Sequence, residues 1–191
     1  LQTPPKLRPD TLRITPLGGL GDVGRNSASF EINGQRMILD CGVLFPDENH
    51  SGVDPSLPSL HLLGDNLDDI SCLVLTHGHE DHTGALPFVL QRLNVPIYGT
   101  RLTLGLVGNK LREDMPLAEP RMNEIKADDV VEIGPFKIRF IAVSHSIPDG
   151  VALSVETPLG RVVHTGDFKL DATPIDGRIT EKSLPLEKAT D

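Results

Sequence analysis

Three histidines and two acidic residues occupy six consecutive positions, from His77 to His82, in the order His-Gly-His-Glu-Asp-His. Imidazole is a ligand for zinc and other late divalent ions, and a carboxylate oxygen also suits harder ions such as Mn²⁺. His79 follows His77 by two positions, so both rings can point the same way in an extended chain. Asp81 and His82 fall where a helix would begin. We therefore predict a site for two neighbouring metal ions, against the alternative of a solvated polar loop.

The flanking sequence indicates how this cluster is positioned. The apolar run Cys72 to Leu75 precedes it, separated by Thr76 alone, and predicts a buried strand, and residues 83–93 predict a helix. Two further polar residues follow apolar runs in the same manner, His145 after one run and Asp167 after another. A third histidine can complete the ligand set of one ion, and a carboxylate can bridge two ions.

Turn signals and apolar runs predict a sheet-rich fold. Asn33-Gly34 separates two apolar runs and predicts a hairpin with a type I′ turn. The predicted strands are 12–17, 28–32, 35–40, 72–75, 95–99, 130–133, 136–143, 152–156 and 161–164, with helices over 83–93 and 102–111. Strands dominate, so the predicted class is mixed α/β, with sheet packed on sheet and helices outside.

Length and charge narrow the function classes. The chain has 191 residues, enough for one domain, and it contains no apolar run of membrane-spanning length. We predict a loose leader over 1–11 and a domain over 12–191. Cys41 and Cys72 lie in apolar sequence, which favours buried thiols in a reducing cytoplasm. The net charge of −9 argues against a basic nucleic-acid-binding face, although divalent ions in a cleft would still attract phosphate.

A glycine-rich stretch follows the first predicted strand and contains Gly19-x-Gly21-x-x-Gly24. This spacing also occurs in dinucleotide-binding loops, but no helix is predicted to open from it and no βαβ unit surrounds it. We interpret the glycines as a tight turn that passes close to the metal site.

Five motifs in order resemble one family. They are PLGGLGDVGRN, LDCGVLFPDE, LVLTHGHEDHTGALP, AVSHSIPDG and VVHTGDFKLD. Together they resemble the metallo-β-lactamase superfamily and, within it, the ribonuclease J family of the β-CASP group of RNA-processing nucleases. The resemblance covers nearly all of residues 12–178. It implies a metallo-β-lactamase fold, an αββα sandwich of two mixed sheets with outer helices, present here as its N-terminal part.

The resemblance also implies a centre of two divalent ions, Zn²⁺ or Mn²⁺, held by six side chains. These ligands are His77, His79 and His145 for one ion, Asp81 and His82 for the other, and Asp167 between the two. By the same resemblance Asp40 orients a ligand through a hydrogen bond. Asp81 and Asp167 are the carboxylates implied to take part in proton transfer.

The implied activity is hydrolysis of RNA phosphodiester bonds by a hydroxide that two metal ions activate. The family acts on single-stranded RNA, from a 5′-monophosphate end and internally, in RNA processing and decay. We expect the full-length enzyme to be a dimer or tetramer. In the ribonuclease J family the last metal ligand is a histidine beyond an inserted β-CASP domain, whereas this sequence has no histidine after His164. We therefore expect a weakly held second ion, and a chain that is the first part of a longer enzyme or an excised piece.

Two other functions are compatible with the sequence: hydrolysis of a thioester or lactone on the same fold, and a non-catalytic scaffold in an RNA-degrading complex. Other polar residues have ordinary explanations. His164 is expected to face away from Asp167 and to support packing, and Glu80 either supports a ligand or faces solvent. Asp47, Glu48 and Asp54 could bind Ca²⁺, although a solvated loop is the simpler interpretation.

Overall fold

The computed structural model describes residues 5–46, 55–64, 67–116, 119–175 and 177–180. Its described residues form two sheets with helices on one side. Asp47, Glu48 and Asp54, for which a solvated loop is the simpler interpretation than a calcium site, lie outside the described residues. The division into a leader over 1–11 and a domain over 12–191 stays a prediction; the first described strand begins at Arg13.

Six strands form the first sheet, in the order β1-β2-β3-β4-β5-β6. Their bounds are β1 (Arg13–Gly18), β2 (Ser27–Ile32), β3 (Gln35–Leu39), β4 (Ile70–Val74), β5 (Ile97–Thr100) and β6 (Met122–Ile125). β1, β2 and β3 pair antiparallel, whereas β3 through β6 pair parallel. The sheet is therefore mixed.

Four strands form the second sheet, in the order β10-β9-β8-β7, and every pairing in it is antiparallel. Their bounds are β7 (Val130–Ile133), β8 (Phe136–Ala142), β9 (Val151–Thr157) and β10 (Gly160–His164). The prediction of two mixed sheets is thus wrong for this one. Consecutive strands joined by short turns can pair only antiparallel, because a parallel pair needs a long crossover.

The helices are α1 (Glu80–Thr83), α2 (Leu86–Val89) and α3 (Arg101–Asp114), with a 3₁₀ helix at Leu60–Leu63. Residues of α2 and α3 share a buried cluster with the first sheet. Among the described residues no helix covers the outer face of the second sheet, so only one of the two expected helix layers is seen. Among the residues that the structure describes, no helix has the length and apolar character needed to span a membrane.

Alternation along β4 shows why the first sheet has two buried faces. Cys72 and Val74 pack between the sheets with side chains such as Phe136 of the second sheet, whereas Leu73 and Leu75 pack toward the helices. Because successive side chains in a strand point to opposite faces, a continuous apolar run is what a strand buried on both faces requires.

The predicted elements agree with the structure except in two places. The hairpin is present, and Asn33 and Gly34 both have positive φ, 50° and 74°, as a type I′ turn requires. The helix predicted over 83–93 is wrong: it begins at Glu80 and is divided into α1 and α2. Pro87 has no N–H to continue the helical bonding. The strand β6 was not predicted.

Candidate metal centre

The predicted ligands meet at one edge of the sandwich. Asp40 follows β3 directly and His77 follows β4, and these strands are parallel, so their carboxyl ends lie side by side. In the second sheet β8 and β10 both pair antiparallel with β9 and therefore run in the same direction. The segments leading to His145 and Asp167 thus leave that sheet at a common edge. The Val151 N–H donates to the Thr76 carbonyl, 2.9 Å, and joins the two edges.

One group of possible ligands contains three histidines: His77, His79 and His145 each place a ring nitrogen within 4.8 Å of the others. The Nε2 atom of His77 lies 3.1 Å from the Nδ1 atom of His79. The ring centroid of His145 lies 5.0 Å from the centroids of both other rings. Three imidazoles that converge in this way are a donor set suited to zinc.

A second group shares His77 with the first and adds His82 and Asp167, again with ligand atoms within 4.8 Å. The Nε2 atom of His82 lies 3.5 Å from Asp167 and 3.6 Å from Asp81. Asp167 also lies 3.7 Å from His145, so its carboxylate stands between the two groups. The geometry therefore groups His77 with His82, whereas the resemblance implies Asp81 as the partner of His82.

Asp40 is buried beneath these rings and accepts three hydrogen bonds. Its Oδ1 accepts from the Thr76 N–H, 2.8 Å, and its Oδ2 accepts from the Thr76 hydroxyl and from Nδ1 of His82, both 2.8 Å. Asp40 has φ of 53°, a left-handed conformation that Asp tolerates better than most residues. This turn directs the carboxylate back into the sheet edge.

These bonds determine which ring nitrogens can bind a metal. The Thr76 hydroxyl donates its one hydrogen to Asp40, so its oxygen accepts from Nδ1 of His77, 3.0 Å away. Nδ1 of His82 donates to Asp40 directly. In both rings Nδ1 carries a proton, and the Nε2 lone pair is left for a metal ion. The donor set thus fits a divalent ion.

Burial and neighbouring charges shift the pKa values of Asp40 and of the histidines, and the two effects oppose each other in His82 and Asp40. Burial, assisted by the positive charge of His82, lowers the pKa of His77 to about 4. Burial also acts to lower the pKa of His82, but the charge and hydrogen bond of Asp40 outweigh it and the pKa is raised. For Asp40, burial acts to raise the pKa, but attraction to His82 outweighs it and the pKa is lowered. Burial lowers the pKa of His145.

Sequence reasoning missed Asn26, which ends the glycine-rich loop. Its Nδ2 lies 3.1 Å from both Asp81 Oδ2, to which it donates, and His82 Nε2. Gly19 and Asn26 line a cleft of about 300 Å³ together with Asp40, His82 and Asp167. The loop therefore passes close to the site, as interpreted from its glycines. The only signal for Asn26 in the sequence is its position in the Arg25-Asn26 pair after the glycines. That pair does not by itself indicate a metal site.

The turn that carries Asp81 and His82 is held by backbone contacts with the segment after β3 and with the residue before β2. The Cys41 N–H donates to the His82 carbonyl, 2.7 Å, and the Asn26 N–H donates to the Asp81 carbonyl, 3.0 Å. A β-carbon at Gly42 would lie 1.5 Å from the Asp81 carbonyl oxygen. Only glycine allows this approach.

Two neighbouring residues have supporting or peripheral positions. His164 lines the same cleft as Asp167, so the expectation that it faces away from Asp167 is wrong. Its Nδ1 accepts from the Gly166 N–H, 3.1 Å, which holds the turn leading to Asp167, and burial lowers its pKa. Glu80 is exposed and forms an ion pair with Lys110, 2.8 Å, so it faces solvent.

Curated relatives carry the name Ribonuclease J. The chain is 47% identical over 182 residues to Ribonuclease J of Corynebacterium glutamicum, 46% over 182 residues to that of Mycolicibacterium smegmatis and 44% over 178 residues to that of Thermus thermophilus. These matches cover 95%, 95% and 90% of this chain but 25%, 32% and 31% of the relatives. The chain thus spans about a quarter to a third of their length. The predicted resemblance to ribonuclease J is confirmed.

Solved structures share the fold at low identity. A protein of unknown function from Enterococcus faecalis superposes with a TM-score of 0.64 at 21% identity, covering 83% of this chain and 44% of that one. The metallo-beta-lactamase fold protein YhfI from Bacillus subtilis gives 0.58 at 19%, covering 82% and 62%. The family model of the metallo-beta-lactamase superfamily matches residues 20–187. The chain, with its two packed sheets and its ligands at one edge, belongs to the metallo-β-lactamase superfamily.

Proposed function

We propose that this chain carries the metal centre of a ribonuclease that hydrolyses RNA phosphodiester bonds. The observation that carries the proposal is the pair of overlapping ligand groups, which share His77 and have Asp167 between them. The name of the relatives, 44–47% identical over 90–95% of the chain, supports RNA as the substrate. Five histidine and carboxylate side chains converging at one edge are hard to explain as an ordinary polar surface.

Six side chains are proposed to hold two divalent ions, zinc or manganese. We assign His77, His79 and His145 to one ion, His82 and Asp81 to the other, and Asp167 to both. His77 lies near enough to contribute to either ion. When bound, such ions lower the pKa of a water molecule toward about 7 and neutralise charge on a phosphate.

The chain's own residues orient this centre and move protons. Asp40 fixes the rings of His77, through Thr76, and of His82, so that both Nε2 atoms face the cleft. Asp167 has a half-exposed side chain at the cleft, within reach of an attacking water or a leaving oxygen. Asn26 holds Asp81. We propose Asp81 and Asp167 as the groups that accept and return the proton of that water.

Further properties are implied only by the resemblance to the ribonuclease J family. The balance of 5′-3′ exonuclease and endonuclease action, the preference for a 5′-monophosphate end and the assembly into a dimer or tetramer stay predictions. So does a cytoplasmic location, which the two buried free cysteines Cys41 and Cys72 support, since thiols persist in reducing compartments.

The test is an assay of the metal-loaded protein against three substrates: a 5′-phosphorylated single-stranded RNA, a thioester and a lactone. We expect RNA cleavage that chelation abolishes. Asp81→Ala and His82→Ala should lose both bound metal and RNA cleavage. Glu80→Ala serves as the control, because Glu80 lies beside them but faces solvent. Hydrolysis of the thioester or lactone without RNA cleavage would assign the site to another hydrolase, and full RNA cleavage by both variants would refute the proposed centre.

A further inference from the structure

A second cavity, of about 500 Å³, lies at the carboxyl ends of β5 and β6. Thr100 and Arg101 form one wall at the beginning of α3, and Lys126 forms another just after β6. Asp149 and Arg178 close it from the side of the second sheet. Crevices at the carboxyl ends of parallel strands are common positions for ligands in α/β folds.

Three cationic side chains converge on this cavity, although the chain as a whole carries a net charge of −9. Arg178 forms an ion pair with Asp149. Arg101 and Lys126 have no ion-pair partner among the described residues, and Glu124 is the one other acidic residue of the lining. The lining is thus net positive, and the positive end of the 14-residue helix α3 adds to the field at Arg101.

The cavity shares a wall with the metal centre. Gly150 lines the cavity, and a β-carbon at Gly150 would lie 3.8 Å from the β-carbon of His77. Val151, also in the lining, donates its N–H to the Thr76 carbonyl. If a polymer places one phosphate at His77 and His145, the groups that neighbour this phosphate along the strand therefore lie directly beside the cavity.

We propose that this cavity binds a backbone phosphate of single-stranded RNA next to the phosphate that is cleaved, with Arg101 and Lys126 as its cationic contacts. The proposal rests on the proposed function. Arg178, held by Asp149, forms the rim. None of the lining residues that the structure describes is aromatic. Single-strand binders stack bases on aromatic rings and hold the backbone with positive charge, so the charges of this lining suit the backbone. Contacts to phosphate carry no sequence information.

The test compares two double variants with the same loss of charge. Arg101→Gln/Lys126→Gln removes the proposed contacts, and Arg92→Gln/Lys137→Gln removes an exposed Arg and an exposed Lys elsewhere on the surface. The affinity of metal-loaded protein for a phosphorothioate-linked decauridylate is measured from 50 to 200 mM NaCl. Each phosphate contact contributes about 0.7 to the slope of log affinity against log salt for single strands. Because the cavity is proposed to hold one phosphate, we expect the first variant to lose about 0.7 from this slope and the control to keep it.

A second readout separates this proposal from the proposed function. Turnover of bis(p-nitrophenyl) phosphate needs the metal centre but has no neighbouring phosphate, so Arg101→Gln/Lys126→Gln should leave it unchanged while raising KM for RNA. The subsite is overturned if Arg101→Gln/Lys126→Gln changes neither the salt slope nor KM for RNA. It is also overturned if both double variants lose the same amount from the slope. A protein that cleaves no phosphodiester, yet binds RNA through Arg101 and Lys126, would refute the proposed activity and retain the subsite.

Discussion

Asp40 connects the chemistry of the centre to its geometry. One buried carboxylate accepts from the Thr76 backbone, from the Thr76 hydroxyl and from His82, and through Thr76 it also fixes the ring of His77. The orientation of two candidate ligand nitrogens therefore depends on one buried side chain. Such outer partners determine ligand basicity and ring orientation.

Asp40→Asn tests this dependence. Asn is similar in shape and tolerates the left-handed backbone of Asp40, but its amide cannot accept every bond that the carboxylate accepts. We expect zinc affinity to fall about 10–100-fold, measured by competition with a chelator. Asp114→Asn, at the exposed end of α3, is the control. Unchanged zinc affinity in Asp40→Asn would show that Asp40 does not orient the ligands.

His77 should make the metal-free protein sensitive to acid. Its pKa is lowered to about 4 in the fold against 6.5 in the unfolded chain, so below pH 6.5 the unfolded chain takes up a proton that the folded protein does not. Its contribution to stability is present above pH 6.5 and is lost as the pH falls toward 4. His82, whose pKa is raised, acts in the opposite sense.

The measurement is urea unfolding of metal-free wild type and His77→Gln at pH 7 and pH 5. Between pH 7 and pH 5 we expect the free energy of unfolding of wild type to fall by roughly 1–2 kcal/mol more than that of His77→Gln. The exposed His61 supplies the control His61→Gln, which should change little with pH relative to wild type. A His77→Gln difference that is the same at both pH values would contradict the lowered pKa.

The ligand candidates could be predicted from the sequence because they stand close together or directly after apolar runs. Asn26 could not, because its contact with Asp81 joins residues 55 positions apart through a loop with no regular pattern. Nor could the proton on Nδ1 of His77, because it depends on which acceptor Thr76 meets in the fold.

Among the elements, the divided helix after β4 has the most direct bearing on the site. The Ala85 N–H donates to the Cys41 carbonyl and the Asp81 carbonyl accepts from Asn26, so the turn bonds to the sheet edge instead of continuing as a helix. The sequence pattern of residues 83–93 predicts one helix, because the spacing of apolar residues contains no information on such tertiary hydrogen bonds. The β6 strand escaped prediction because Met122 to Ile125 show neither an apolar run nor alternation; pairing with β5 forms it.

Gly42→Ala should disturb this turn. The added methyl would lie 1.5 Å from the Asp81 carbonyl oxygen, so the segments carrying Cys41 and His82 must separate. We expect a loss of roughly 2–3 kcal/mol in the free energy of unfolding and weaker zinc binding. Gly105→Ala, in α3 with no atom near the added carbon, should instead gain roughly 0.5–1 kcal/mol. Chemical denaturation measures both, and equal effects would contradict the close approach.

At the scale of the whole molecule, the centre joins two sheets. His77 and His79 follow β4 of the first sheet, whereas His145 and Asp167 follow strands of the second. The apolar layer between the sheets holds them together elsewhere. An ion bound by His77, His79 and His145 would therefore cross-link the sandwich at one edge.

Zinc should accordingly raise the melting temperature. A ligand at 100 times its Kd adds about 2.7 kcal/mol to the free energy of unfolding. For a chain of this size that corresponds to an increase of roughly 5–10 °C in the melting temperature. His145→Ala should lose most of this increase, because it removes the ligand from the second sheet, and His61→Ala should keep it. Differential scanning calorimetry with zinc and with a chelator measures the difference. An equal increase in His145→Ala would show that the ion does not connect the sheets.

The division of ligands between the sheets also affects biosynthesis. The ribosome releases His77, His79 and His82 with the first sheet, before β8 and β10 have been made. A nascent chain at that stage presents three imidazoles with neither His145 nor Asp167, so both candidate ligand groups are incomplete. If these residues hold metal as proposed, loading is complete only after the second sheet has docked.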